Sequence, residues 1–148
     1  MPGAAAVIVV VGPPGARPEV VAEALEAAVD AGPLLAGPEH AARGGELAAE
    51  RPDARFVLVR RDLEACLREG VAPDAWHEAA AALLAALEAL APERWCVVGR
   101  ERLLADPRAE LRRLCGFLGL TYDQAMLAPV ERARRAEAAG GAARAAEQ

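Results

Sequence analysis

The apolar positions fall into short blocks separated by glycine, proline and charge, and the spacing within each block predicts its element. Val7-Ile8-Val9-Val10-Val11 is an unbroken β-branched run without the alternation of a half-exposed strand, the pattern of a strand buried on both faces of a parallel sheet. Gly12-Pro13-Pro14-Gly15 ends it, and Val20, Val21, Ala24, Leu25 and Ala28 follow at helical spacing. Pro18 fits the first turn of that helix, where a missing N–H costs nothing. Asp30 to Pro38 is a Gly/Pro-rich break that has room for a short strand at Pro33 to Ala36, and Glu39 to Glu50 reads as a helix weakened by Gly44-Gly45.

A second unit begins at Pro52-Asp53. Arg55 to Val59 predicts a strand, and Asp62 caps a helix carrying Leu63, Cys66 and Leu67 that ends at Gly70. Asp74 opens the most regular helix, to about Leu90, with Trp76, Leu83, Leu84, Leu87 and Leu90 on one stripe. Trp95 to Val98 is a third buried strand, and Asp106-Pro107 starts a helix whose Leu111, Leu114, Cys115 and Leu118 face inward. Thr121-Tyr122-Asp123 begins a short helix, and beyond Pro129 an Arg/Glu/Ala helix fades at Gly140-Gly141. Strands alternating with helices predict an α/β fold, a small parallel sheet flanked by helices. The expected organisation is one domain over residues 1–139 and a flexible tail over 140–148.

Composition narrows the chemistry. Of 148 residues 38 are alanine, and all 17 basic residues are arginine; there is no Lys, Ser or Asn, and Thr121 is the single threonine. A serine nucleophile, a lysine Schiff base and a complete Walker A loop are thereby excluded. The net charge of -5 argues against a nucleic-acid surface. Cys66, Cys96 and Cys115 each sit in an apolar run and read as buried thiols in a reducing compartment, and with two histidines they show no metal-ligand spacing. No apolar stretch is long enough to span a membrane, so a soluble cytoplasmic protein is expected, with no metal, nucleic-acid or membrane partner.

Two segments carry a family resemblance. Pro52 to Gly70, PDARFVLVRRDLEACLREG, and Trp95 to Pro129, WCVVGRERLLADPRAELRRLCGFLGLTYDQAMLAP, resemble the stretches of sulfotransferases in which a strand ends in an Arg-Asp pair and in which a later strand leads into an LLADP-type helix. The resemblance implies a three-layer fold related to P-loop kinases and transfer of a sulfuryl group from 3'-phosphoadenosine 5'-phosphosulfate (PAPS) to a hydroxyl or amine acceptor. It places the donor's 5'-phosphosulfate on the first loop, at Gly12, Pro14 and Arg17. It places the 3'-phosphate on Arg61, which precedes Asp62 as in the family's Arg-Asp pair; a one-residue shift makes Arg60 and Arg68 the pair instead. His40, with Glu39 beside it, is the candidate base.

The chain departs from the family in that loop. Gly15 stands where the family has a cation, Ala16 where it has serine, Arg17 where it has glycine, and Pro18 and Glu19 where it has hydroxyls. Pro18 removes a backbone donor, and Glu19 places a carboxylate in the first helical turn, which favours the helix and repels a dianion. The segment that usually holds the acceptor pocket is reduced to Val29 to Gly37. Gly12-Pro13-Pro14-Gly15-Ala16 also resembles the opening of adenylate kinases and AAA-type ATPases, but Pro18 and Glu19 then occupy the lysine and magnesium-ligand positions. Two functions stay open. One is a minimal sulfotransferase that binds PAPS through Arg17 and Arg60 or Arg61 and acts on a small-molecule acceptor; the other is a non-catalytic scaffold that binds a protein partner.

Overall fold

The computed structural model describes residues 7–12, 19–28, 34–36, 50, 54–68 and 70–147, of which 34–36 and 139–147 are described by their backbone alone. Strands β1 (Ile8–Val11), β2 (Leu34–Ala36), β3 (Arg55–Arg60) and β4 (Trp95–Gly99) form a parallel sheet in the order β2-β1-β3-β4. Helix α1 (Glu19–Glu26) lies between β1 and β2; α2 (Leu63–Arg68) and α3 (Pro73–Glu88) lie between β3 and β4. Helices α4 (Arg100–Ala105), α5 (Pro107–Leu118) and α6 (Leu127–Glu147) follow β4. The short strand at the Gly/Pro-rich break is present as β2; the helix expected over Glu39 to Glu50 falls largely outside the described residues.

The β-branched run does what its lack of alternation predicts. Ile8 and Val10 point into one core with α1, α4, α5 and α6, through Val21, Leu25, Leu103, Leu111, Leu114 and Val130. Val7, Val9 and Val11 point into a second core with Phe56, Leu58, Leu83 and Leu87. The neighbouring strand β3 divides in the same way, Val57 and Val59 to the first core and Phe56 and Leu58 to the second. A parallel ladder covered on both faces is the result, with Val11 of β1 level with Leu58 of β3 and Arg60 of β3 level with Gly99 of β4.

Three expectations change. The strand at Trp95 to Val98 is the edge of the sheet, so only Val98 is buried and its neighbours are half-covered. Leu84 leaves the stripe and is 40 % exposed, because α3 turns only Leu83 and Leu87 onto the sheet. Beyond Pro129 the helical backbone runs through Gly140-Gly141 to Glu147, since the contacts of its first half already hold the register. Asp106 caps α5 as its sequence predicts, accepting a hydrogen bond from the Ala109 N–H (3.3 Å), and Gly119 ends the helix at φ 74°. Asp123 caps the 3-10 turn at Gln124–Met126.

Leu114, fully buried, is expected to cost about 2–5 kcal/mol on replacement by alanine, whereas Leu84→Ala is expected to cost under about 1 kcal/mol, both read from urea denaturation. The two glycines of the α5 end should respond oppositely. Gly116 is helical with open space around an added Cβ, so Gly116→Ala is expected to raise stability by about 0.5–1 kcal/mol; Gly119→Ala, at positive φ, is expected to lower it by a comparable amount.

Candidate functional site

In a parallel sheet the chain enters each strand from one side, so every carboxyl end opens on the same edge. Order β2-β1-β3-β4 means that the chain leaves β1 toward β2 and returns to the other side of β1 at β3. The carboxyl ends of β1 and β3 flank this reversal, the place where connections diverge and leave a crevice. Gly12 follows β1 there, and Arg60 and Arg61 follow β3. Of the candidates named from sequence, Pro14, Arg17, Glu39 and His40 lie outside the described residues. Gly12 is buried beside the strand end, Arg60 is exposed, and Arg68 is exposed at the end of α2.

A groove of about 1140 Å³ runs along β4 from Trp95 to Gly99, between α3 and the sheet, and reaches this edge. Arg60, Arg61 and Asp62 form one end of it; Trp76, Leu84, Trp95 and Val97 give it apolar walls. Arg68 is not among its lining residues, so the structure brings Arg60 and Arg61 together at the groove and leaves Arg68 on the surface. His77 also reaches the groove, its ring edge-on to Trp76 at 5.2 Å. Arg113 closes the β4 side by donating to the Val97 carbonyl (2.7 Å) and to Glu110 (3.0 Å). That hydrogen bond to the Glu110 carboxylate holds the Arg113 guanidinium charged, raising its pKa.

Arg61 behaves differently from its exposed neighbour. Its side chain is only 8 % exposed and its guanidinium pairs with Glu137 of α6 at 3.4 Å. The same carboxylate oxygen, Oε1, accepts from Nε of Arg100 at 2.8 Å and pairs with its terminal nitrogen at 2.6 Å. Glu101 meanwhile accepts the Asp62 backbone N–H at 2.7 Å, which ties the start of α4 to the turn after β3. Arg100 and Glu101 of α4 and Glu137 of α6 thus hold Arg61 and Asp62, the turn after β3, in place.

Sequence reasoning missed Arg100, Glu101 and Glu137. Their only signal was position, Arg100 and Glu101 directly after a strand and Glu137 three residues before a Gly pair. The Arg/Glu/Ala run reads as a solvated helix, but it docks on its own domain. Val130 is buried, Arg134 donates to the Leu104 carbonyl (2.8 Å) and Arg132 pairs with Glu23 (3.2 Å). None of Cys66, Cys96 and Cys115 is in a disulfide, and Cys96 is half-buried rather than buried as expected. Burial raises the Cys66 pKa and pushes that of Cys96 up to about 11. No group of His, Cys, Asp and Glu among the described residues could hold a metal, and no helix there is long and apolar enough to cross a membrane.

The fold and the site define a doubly wound α/β protein that presents arginines at the reversal of its strand order. A family model, described as the Sulfotransferase family, matches residues 16–124, and the chain belongs to that family. Among solved structures, the sulfotransferase domain from the curacin biosynthetic pathway shares the fold with a TM-score of 0.54 and 21% identity, over 68% of this chain and 43% of that one. The chain therefore spans less than half the length of that relative. No curated protein sequence matches it.

With their pKa values raised, Cys66 and Cys96 stay protonated at pH 8, and the thiolate is the reacting form. Ellman's reagent is expected to modify both much more slowly in the folded protein at pH 8 than in guanidinium chloride, and equal rates would show that neither is shielded.

Proposed function

We propose that the chain binds PAPS, or the 3'-phosphoadenosine 5'-phosphate left after transfer, across the carboxyl ends of β1 and β3, and that this site serves sulfuryl transfer to a hydroxyl or amine acceptor. Membership of the sulfotransferase family implies a sulfate donor such as PAPS. The observation that carries the reading is the placement of Arg61. It sits in the wall where the strand order reverses, its guanidinium held in place and already engaged by an anionic oxygen. A donor set that accepts a carboxylate oxygen suits a phosphate oxygen equally well, since both are anionic acceptors that a guanidinium grips.

When bound, the donor supplies the activated sulfuryl group. The protein's share is orientation: Arg61 on the 3'-phosphate, Arg17 and the backbone around Gly12 and Pro14 toward the 5'-phosphosulfate, with Arg60 at the mouth. The groove beside them, with Trp76, Leu84, Trp95 and Val97 as walls, suits an acceptor with an apolar body. Glu39 and His40 are the bases proposed for the acceptor's proton. Transfer needs that proton removed while the acceptor lies in line with the leaving phosphate.

A second reading, a non-catalytic module on the same scaffold, draws on two observations. Glu137 engages Arg61, and the phosphate loop carries Pro18 and Glu19 where the family has hydroxyls.

Thermal denaturation with 3'-phosphoadenosine 5'-phosphate tests the site. At 100 times its dissociation constant the nucleotide is expected to stabilise the protein by about 2.7 kcal/mol, and Arg61→Ala is expected to remove that stabilisation. An absence of any shift at millimolar nucleotide would overturn the nucleotide reading. Binding without sulfated product, when PAPS is offered with a panel of phenols, alcohols and amines, would select the non-catalytic module.

A further inference from the structure

Glu137 Oε1 lies 2.6 and 2.8 Å from two nitrogens of Arg100 and 3.4 Å from one of Arg61. One anionic oxygen is thus gripped by two guanidinium groups from neighbouring strand ends, Arg61 just after β3 and Arg100 just after β4. The exposures of the three side chains are unequal. Those of Arg100 and Arg61 are 4 % and 8 % exposed, while that of Glu137 is 38 % exposed. The cations belong to the wall, and the carboxylate reaches them from the solvent side.

This asymmetry decides which group can leave. A buried guanidinium stripped of its counter-ion is costly, so the pair demands an anion at all times, but nothing buried requires that anion to be Glu137. A phosphate monoester, close to a dianion at neutral pH, carries more negative charge than a carboxylate and would offer its oxygens in the fork geometry that arginine matches.

We propose that Arg100 is the second cation of the phosphate site at Arg61, and that Glu137 is an internal carboxylate that holds the ligand's place and yields it on binding. The inference rests on the nucleotide reading above for the identity of the ligand, but the two-arginine clamp stands on its own geometry. Arg68, which the family resemblance in its shifted register pairs with Arg60, has no part in it. Binding then carries a built-in competition: phosphate must displace an intramolecular anion, and α6, which bears Glu137, reports whether the site is filled.

Isothermal titration calorimetry on the full chain, with 3'-phosphoadenosine 5'-phosphate, adenosine 5'-phosphate and inorganic pyrophosphate as probes, tests this. Glu137→Gln keeps the shape and removes the competing charge. It is expected to tighten 3'-phosphoadenosine 5'-phosphate by about fivefold or more and to change adenosine 5'-phosphate, which lacks the 3'-phosphate, far less. The double variant Arg100→Gln with Glu137→Gln leaves no unpaired carboxylate, and circular dichroism verifies its fold. Its affinity for 3'-phosphoadenosine 5'-phosphate is expected to fall at least about tenfold below that of Glu137→Gln alone. Unchanged or weaker binding by Glu137→Gln, or a double variant as tight as the single one, would overturn the clamp. If no form of the protein binds nucleotide, pyrophosphate decides: tightening by Glu137→Gln upholds the clamp and sinks only the nucleotide reading, and no tightening sinks both.

Discussion

The structure depends on the burial of β1 and β3 on both faces. A strand inside the protein has no water for its N–H and C=O groups, so each must pair along the ladder, and a parallel ladder has to reach its neighbour through a crossover that covers one face. The side chains of Val7 to Val11 alternate between two cores, so helices are required on both sides. Everything else follows from that demand. Helices α1, α4, α5 and α6 cover one face and α3 the other, and the carboxyl ends of the strands become the edge on which loops gather. Phe56 and Leu58 on one side and Val57 and Val59 on the other repeat the division in β3, so a shift of one residue in either strand would exchange the two cores.

That edge is also where charge can be placed without being drowned in solvent or stranded in the core. Arg61 and Arg100 lie just past the ends of the β-branched runs, deep enough to be nearly covered and close enough to the surface for a carboxylate from α6 to reach them. Glu101 fastens the turn after β3 through the Asp62 N–H, and Arg113 fastens the exposed side of β4 through the Val97 carbonyl. Backbone groups at the rim are thus satisfied by side chains from the α4 and α5 helices. The arginine-bearing turn gains its rigidity from these bonds rather than from packing. A site built in this way presents preorganised cations, with little left to be ordered on meeting an anion.

The elements were legible because their patterns are local. The β-branched run at Val7 to Val11, the 3.6-residue spacing of Leu111, Leu114 and Leu118, and the stop at Gly70 each carry their meaning within a few residues. The family was legible for a related reason: Arg61-Asp62 and the stretch from Trp95 to Pro129 are contiguous. What was not legible involved distance in the chain. The family resemblance, shifted by one residue, offered Arg68 as the partner of Arg60, but α2 leaves Arg68 on the surface while β4, paired with β3, delivers Arg100 to the carboxylate that Arg61 also meets. Leu84 fitted a helical stripe, yet the narrow contact of α3 with the sheet admits only Leu83 and Leu87. Trp95 to Val98 reads as a fully buried strand because its residues are apolar, but a strand at the sheet edge is covered on fewer sides whatever its composition.

The sequence by itself determined the alternation of strand and helix, the parallel character of the sheet, the kinship with sulfotransferases and the absence of serine and lysine from the loop that follows the first strand. These rest on local propensity and on contiguous residues, and no partner distant in the chain can alter them. Only the tertiary structure decided what the arginines do. The run from Glu131 to Arg144 has the composition of a solvated helix, and nothing local marks Glu137 apart from its neighbours. Packing α6 against the helices over one face of the sheet puts that carboxylate beside Arg61, 76 positions earlier in the chain, and beside Arg100. Charge acts through space and across the short separations that folding creates, so the electrostatics of the site exist only once the chain has closed on itself.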